Sequence, residues 1–404
     1  MKIVHISDSH LGFSNFGRVD RKGRNLVEEM IYKGFDKAIE KIISLKPDAV
    51  VHAGDVFHHV RPKIRPLFIF KKGLERLSEA GIPVVVISGN HDSPKSYSST
   101  SPFVMFDGQK DVMIAHSYRY EPFEVGDHTF HCIPFCNSPD DYVDEYGKIQ
   151  RSGSDVLVMH GMVEAMKHKR LMTVGEHEIK DSLLKSDLDY IALGHYHGQG
   201  QVSGNAWYSG SIEYFNFGEA EEKKGMLLVD LKSGRVESIR VRPKYMIDIQ
   251  SIDCSGLSSD EIITEIESAF NGYSEDVWQD DEGRDDPGWD DMNVDWAERI
   301  MRVNLSNVDR SSYRMIDHAK LNRLTSRSLY TKIKVEYVDG NEGEEIKESV
   351  DALHIPDEFG RFMEDEAEAN RIPKAIREDV MAYGKAMLQR IILERNTDAM
   401  DSPK

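Results

Sequence analysis

Five short motifs in the first half of the chain carry side chains suited to divalent cations: Asp8-Ser9-His10, Gly54-Asp55, Gly89-Asn90-His91-Asp92, His160-Gly161 and Gly194-His195-Tyr196-His197. The period-two spacing of an extended chain sends Asp8 and His10 to one side, as ligands of one ion must be. Carboxylates, a carboxamide and imidazoles, with no thiolate among them, suit manganese, iron or zinc better than calcium or an iron–sulfur centre. Asp8, His10, Asp55, Asn90, His160, His195 and His197 are too many for one ion but serve a pair if one carboxylate bridges. Paired ions about 3.5–4 Å apart are the usual apparatus for displacing a phosphoester. The neighbouring glycines permit tight or positive-φ turns that bring backbone and phosphate close to the ions.

Residues so far apart in sequence meet only if a sheet gathers them. Short β-branched runs alternate with helical patterns over residues 1–243, the signature of an α/β fold. Strands are predicted at 3–7, 49–53, 84–88, 112–116, 130–134, 156–160, 190–194, 226–231 and 236–241, with amphipathic helices over 26–45 and 67–77. Each motif then falls at a strand's carboxyl end, where open α/β sheets build their sites. A core histidine explains any one motif, but not recurrence beside glycine at successive strand ends.

Pro243 closes this module. Residues 244–340 read as a compact α+β cap, with strands at 246–252, 299–304 and 331–337, a helix at 260–270 and a basic helical stretch at 313–324. Within it, residues 275–295 hold ten acidic side chains against Arg284 alone, which reads as a solvated loop. From 351 to 404, two helices flank Asn370-Arg371-Ile372-Pro373, the proline suiting a helix start. Phe359, Phe362 and Met363 stripe the first helix, and Ile376, Val380, Tyr383, Met387 and Ile391 the second. Two lone helices cannot shield such stripes, so they fold back on the body or dock on another chain, docking being the expectation.

The net charge of -19 sits at the back: residues 1–243 carry 31 Lys+Arg against 33 Asp+Glu, residues 244–404 carry 20 against 37. An anionic substrate is therefore compatible with the front module, where several acids are candidate ligands whose charge a cation offsets. Cys132, Cys136 and Cys254, odd in number, exclude a disulfide framework and fit a reducing cytoplasm. No apolar run approaches the roughly 18 residues of a membrane span, and Met1-Lys2 leads straight into a strand without a signal segment.

The ordered set Asp-x-His, Gly-Asp, Gly-Asn-His-Asp, His-Gly and Gly-His-x-His resembles the calcineurin-type metallophosphoesterase superfamily. The resemblance implies a two-sheet α/β sandwich with a smaller α+β capping domain and a C-terminal helix–loop–helix. It assigns Asp8, His10 and His197 to one ion, Asn90, His160 and His195 to the other, and Asp55 to both. His91 is left as the catalytic group, steadying the transition state or protonating the departing alkoxide during in-line attack at phosphorus, with Asp92 orienting it. Asp8-Ser9-His10-Leu11-Gly12, Gly54-Asp55-Val56-Phe57-His58 and Arg61-Pro62 narrow the resemblance to the meiotic-recombination nucleases that repair DNA double-strand breaks in archaea and eukaryotes, with the bacterial SbcCD-type nuclease as a near relative. That branch implies two Mn2+ per chain, with Mg2+ or another divalent ion as the alternative. It implies 3'-to-5' exonuclease action on double-stranded DNA, endonuclease action on single-stranded DNA, and a homodimer through helices around 64–77 and 97–106. Residues 351–404 would grip an SMC-like coiled-coil ATPase, because this chain has no Gly-x-x-x-x-Gly-Lys-Ser/Thr loop of its own. The expected location is the nucleoid-associated cytoplasm, or the nucleus in a eukaryote.

Other assignments stay two-sided. His58 is either a group near the metals, as in that branch, or a histidine packed against its strand. Arg18, Arg21, Lys22 and Arg24, like Arg61, Lys63 and Arg65, either contact phosphate or form a solvated basic face, and residues 167–170 are a third such cluster. His5 and His52, inside strands, are assigned to packing or supporting hydrogen bonds. The apolar stretches 67–77 and 102–106 pair two subunits or pack the core. Two rival functions are a phosphoesterase acting on substrates other than DNA and a non-catalytic scaffold that keeps the motifs for stability.

Overall fold

The computed structural model describes residues 1–94, 100–169, 178–272 and 298–338, with 379, 380, 382–384 and 387. The acidic loop 275–295, most of the 351–404 tail, residues 97–99 of the expected dimer surface and the side chains of the 167–170 cluster lie outside the described residues.

Along the chain the strands are β1 (Lys2–Ile6), β2 (Ala49–His52), β3 (Val84–Ile87), β4 (Val112–Ala115), β5 (Glu121–Val125), β6 (His128–Ile133), β7 (Asp155–His160), β8 (Met162–Val163), β9 (Glu178–Ile179), β10 (Tyr190–Gly194), β11 (Gly200–Ser203), β12 (Ala206–Tyr208), β13 (Met226–Asp230), β14 (Arg235–Ile239), β15 (Met246–Asp253), β16 (Ile300–Val308) and β17 (Tyr330–Tyr337). The helices are α1 (Leu26–Leu45), α2 (Ile64–Glu79), α3 (Pro139–Tyr146), α4 (Ser259–Gly272), α5 (Arg310–Arg314) and α6 (His318–Thr325).

Two mixed six-stranded sheets form the α/β body. One runs β14-β13-β1-β2-β3-β4, with β1 to β4 parallel and β13 and β14 antiparallel. The other runs β11-β12-β10-β7-β6-β5, its four inner strands parallel and its edges antiparallel. Val51, Val85 and Ile87 of the first sheet share one core cluster with Phe130, Val156, Val158 and Ala192 of the second. Each of the fully buried valine, isoleucine and phenylalanine side chains contributes about 1.5–3 kcal/mol. On the outer faces, α1 buries Ile31, Phe35 and Ile39, and α2 buries Phe70, Leu74 and Leu77. Covering on both faces is why β3 reads Val-Val-Val-Ile rather than alternating. The pairing leaves the carboxyl ends of β1, β2, β3, β7 and β10 to carry the five motifs.

The chain divides into two units, the first comprising Met1–Ser14 and Val27–Met246. Among the described residues, the second is a three-stranded sheet, β15-β16-β17, whose core joins Ile262, Ile266 and Phe270 of α4 to Val303, Leu305 and Leu321. Asn15–Leu26 groups with this second unit. There the Phe16 ring lies 4.5 Å from that of Tyr330, and the Arg18 guanidinium donates to the carbonyls of Ser328 and Leu329 at 2.6 and 2.7 Å.

The structure holds six elements that the sequence reading lacks, β5, β8, β9, β11, β12 and α3, and it divides one helical stretch in two. β5 was hidden by Pro122 and by the charges of an edge strand that is only half-buried. α3 has too few apolar residues to show a period, although Ser138 caps it and Pro139 starts it. The basic stretch 313–324 is two short helices, because Asp309 and Asp317 each cap a new N-terminus.

Candidate metal centre

The loops after β1 and β2 run side by side. Asp8 N–H donates to Gly54 O at 3.0 Å, His10 N–H to Asp55 O at 3.0 Å, and Leu11 N–H to Val56 O at 2.8 Å. That ladder fixes Asp8 and His10 against Asp55. Asp8, His10, Asp55 and His195 all adopt left-handed backbone, with φ of 51°, 41°, 55° and 100°. Such strain, about 1–3 kcal/mol per residue, collects where the fold aims side chains at a common point. Two glycines make room. A Cβ on Gly54 would stand 2.4 Å from His160 Nδ1, and one on Gly89 would stand 2.2 Å from Asp55 Oδ1. Gly54 has a φ of +93°, as the sequence reading expects of a turn, but Gly89 serves by leaving space for the Asp55 carboxylate.

The donors fall into two adjoining groups. Asp8, His10 and His197 bring ligand atoms within 4.8 Å of one another, and so do Asp55, His160 and His195. Asn90 Oδ1 joins the second group, 2.9 Å from His160 Nε2 and 3.0 Å from His195 Nδ1. Asp55 Oδ2 reaches both groups, at 3.4 Å from His160 Nε2 and 3.7 Å from His10 Nε2. Asp8 is steadied by Ser7 Oγ at 2.5 Å and by the His195 N–H at 3.1 Å.

These residues fit divalent cations by their donor chemistry. His160 Nδ1 donates to Ala53 O at 2.8 Å, which leaves Nε2 with its lone pair in a neutral ring, facing the oxygens of Asn90 and Asp55. Acceptors aimed at acceptors call for positive charge between them. Burial lowers the pKa of His160, but the Asp55 carboxylate outweighs it and lifts the group to about 9. Burial would raise Asp55, yet His160, His10 and His91 hold it well below the usual carboxylate range. The centre thus stabilises positive charge where Asp55 meets His160, whether carried by a proton or a cation. His10 is kept neutral by burial, against the pull of Asp55.

His91 sits beside both groups. Its backbone N–H donates to Asp55 Oδ1 at 2.8 Å, and its Nδ1 lies 3.1 Å from His58 O. Its ring is 4.7 Å from that of His10 and stacks on His58 at 5.1 Å. His58 Nδ1 lies 3.3 Å from His10 Nδ1, so the structure brings this histidine to the centre rather than against its strand. Burial, then His91, lowers it to about 4. Asp92 does not touch the His91 imidazole. Its carboxylate accepts from the N–H groups of Gly89, Val56 and Phe57, tying the β2 and β3 loops together. Burial and then the neighbouring Asp55 push it up to about 8. Orientation of His91 comes instead from the His58 carbonyl.

His5 and His52 are buried, bonded to Tyr190 OH at 3.0 Å and Ser9 Oγ at 2.8 Å, and burial lowers both to about 3. Arg61 and Lys63 are exposed shortly after His58. Arg65 is engaged by Glu29 and Arg24 by Asp20. Arg18 is spent on carbonyls of the second unit, and Arg21 lies in the same segment of that unit. Sequence reasoning missed Glu219, which accepts from His197 Nδ1 at 2.9 Å, and Phe215, whose ring lies 4.8 Å from His10 and 5.0 Å from His197. Neither stands in a motif.

A sandwich of mixed sheets with clustered His and Asp side chains at its strand ends is the layout of a metallophosphoesterase, and residues 1–199 match the family model of calcineurin-like phosphoesterases. This part of the chain belongs to that family. The chain is 28% identical over 299 residues to the DNA double-strand break repair protein Mre11 of Methanocaldococcus jannaschii, covering 67% of this chain and 74% of that one. It is 29% identical over 248 residues to the protein of the same name from Methanococcus maripaludis, covering 57% and 63%. With a component of the SbcCD nuclease of Staphylococcus saprophyticus it shares 26% identity over 282 residues, covering 62% and 71%. No helix among the described residues is long and apolar enough to cross a membrane.

Proposed function

We propose that the chain is a two-metal DNA nuclease of double-strand-break repair, a 3'-to-5' exonuclease on double-stranded ends and an endonuclease on single strands, with manganese as its ion. The observation that carries this reading is the pair of donor groups joined through Asp55, with His91 fixed beside them. The relatives' names supply the DNA substrate. Divalent cations bound there supply Lewis acidity for in-line displacement at phosphorus. Asp8, His10 and His197 would hold one ion, Asn90, His160 and His195 the other, and Asp55 both. His91 donates an Nδ1–H hydrogen bond to the His58 carbonyl, which leaves Nε2 for the substrate; carrying a second proton there, it would steady charge building on the phosphoryl oxygens or pass that proton to the leaving alkoxide. Arg61 and Lys63, exposed near His58, suit contact with the DNA backbone.

Two further parts of the reading concern assembly. On α2 and the 3-10 turn Pro102–Phe106, Ile64 is 84% exposed and Met105 67%, with Phe68 and Val104 also exposed, an apolar face suited to a two-fold dimer. In the tail, Val380, Tyr383 and Met387 share one helical face and are exposed, which favours docking on the coiled coil of an SMC-like ATPase.

The test is cleavage of end-labelled duplex DNA with Mn2+, comparing wild type with His91→Asn. The expected result is a loss of about 10²–10⁴-fold in rate, with Mn2+ and DNA binding retained. Equal cleavage by both proteins removes His91 from the mechanism. Hydrolysis of small phosphodiesters without cleavage of DNA would return the chain to a general phosphoesterase.

A further inference from the structure

Glu219 ends a short 3-10 turn, Phe217–Glu219, away from every motif that marks the centre. Its carboxylate is wholly buried and bonded on both oxygens. Oε1 accepts from His197 Nδ1 at 2.9 Å and from Asn216 Nδ2 at 2.6 Å. Oε2 accepts from the Phe215 N–H at 3.1 Å and from Lys224 Nζ at 2.8 Å. Lys224, itself buried, has its Nζ also 3.0, 2.9 and 3.0 Å from His197 O, Ser211 Oγ and Glu222 Oε2, so its three hydrogens are shared among four acceptors. An ammonium thus anchors the carboxylate, and the carboxylate anchors the imidazole.

A carboxylate can only accept, so His197 Nδ1 must carry the hydrogen. The lone pair is then left on Nε2, which lies 3.1 Å from His10 Nε2 within the group completed by Asp8. His160, in the other group, has a neutral carbonyl, Ala53 O, in the corresponding place. The two groups therefore differ in the charge standing behind an imidazole.

We propose that Glu219 is a positioning residue for the ion site of Asp8, His10 and His197, fixing the tautomer and orientation of His197 and strengthening that site selectively. This rests on the two-metal reading above. A carboxylate behind a ligating histidine raises its basicity, and removing such a partner typically weakens metal binding about 10–100-fold. Lys224 belongs to the same device, since without it the buried carboxylate would lack its counter-charge.

The test is a titration of the full chain with MnCl2, by calorimetry and by electron paramagnetic resonance, which distinguishes an isolated Mn2+ from a coupled pair. Wild type is compared with Glu219→Gln and with the double variant Glu219→Gln/Lys224→Met, which leaves no orphaned ammonium. Thermal melting reports folding separately. Wild type should bind two ions and show the coupled signal. Both variants should weaken one site about 10–100-fold, leave the other within about threefold, and show the isolated signal at intermediate Mn2+. Two unchanged sites in a folded variant would overturn the proposal. So would equal weakening of both sites in step with a fall in melting temperature, which marks a prop for the fold rather than for one ligand. Absence of Mn2+ binding in wild type would instead overturn the two-metal reading, and this inference with it.

Discussion

Replacing Gly89 by alanine adds one methyl group at the point where the centre has no room. The new Cβ would stand 2.2 Å from Asp55 Oδ1, 2.4 Å from Asp55 N and 2.7 Å from Asp55 Cγ. Contacts under 3.0 Å do not occur, so the carboxylate oxygen must retreat by about 0.8 Å, the gap between 2.2 and 3.0 Å. The side chain cannot simply swing aside, because the backbone nitrogen is crowded too. Asp55 is the group that reaches both donor sets, and a displacement of roughly 1 Å in a reacting constellation can cost about 10²-fold in rate. Overpacking adds about 1–3 kcal/mol of destabilisation. The assay is Mn2+-dependent cleavage of labelled duplex DNA and of a chromogenic phosphodiester, with Gly200→Ala as control. A Cβ at Gly200 meets nothing within 4 Å, so that variant should behave as wild type. For Gly89→Ala, kcat/KM should fall about 10²-fold. Wild-type activity in Gly89→Ala would refute the argument that this glycine exists to seat Asp55.

Asp155 accepts from Ser152 N and Oγ, Gly153 N and His131 at 2.7–2.9 Å. Burial would raise its pKa, but these bonds hold it well below the usual carboxylate range. Its stabilisation is therefore complete above the unfolded value of about 3.9 and is lost as pH falls through the native value. Asp155→Asn should cost about 1.5–3 kcal/mol in urea denaturation at neutral pH, shrinking under acid; a penalty equal at both pH values would contradict this. Mn2+ should raise the melting temperature over that in chelator, each site adding about 2.7 kcal/mol to the unfolding free energy at a hundredfold excess over Kd. Ca2+ should do less, since imidazoles are poor calcium ligands; identical melting in chelator and Mn2+ would mean that the donors hold no ion. Phe68→Asp should shift sedimentation from dimer to monomer with Mn2+ binding intact, whereas an undisturbed dimer would place the interface elsewhere.

The residues at strand ends were legible because each closely follows a short apolar run rich in β-branched residues, as Asp55 follows Ala49–His52. Their convergence followed from the parallel order of the strands. Glu219 was not legible: it lies in a turn with no pattern of its own, and its role depends on where the chain folds back toward His197. Gly89 looked like a turn residue, but its need is set by a carboxylate from another strand. Arg18 looked like a phosphate contact by its distance from His10 in sequence, yet the segment Asn15–Leu26 joins the second unit through partners more than 300 residues away. Local sequence reports periodicity and capping; which polar groups meet across the fold is a property of topology.

The place of β1 has a consequence for biosynthesis. This first strand pairs on one side with β2 and on the other with β13, Ile3 facing Val229. A nascent chain leaving the ribosome therefore has β2 available to β1 early, but β13, its other neighbour, is translated far later, and His197 arrives after the six other donors. The full donor set is therefore present only once His197 has been made, and a message truncated upstream of Met226 encodes a product whose β1 lacks its β13 neighbour.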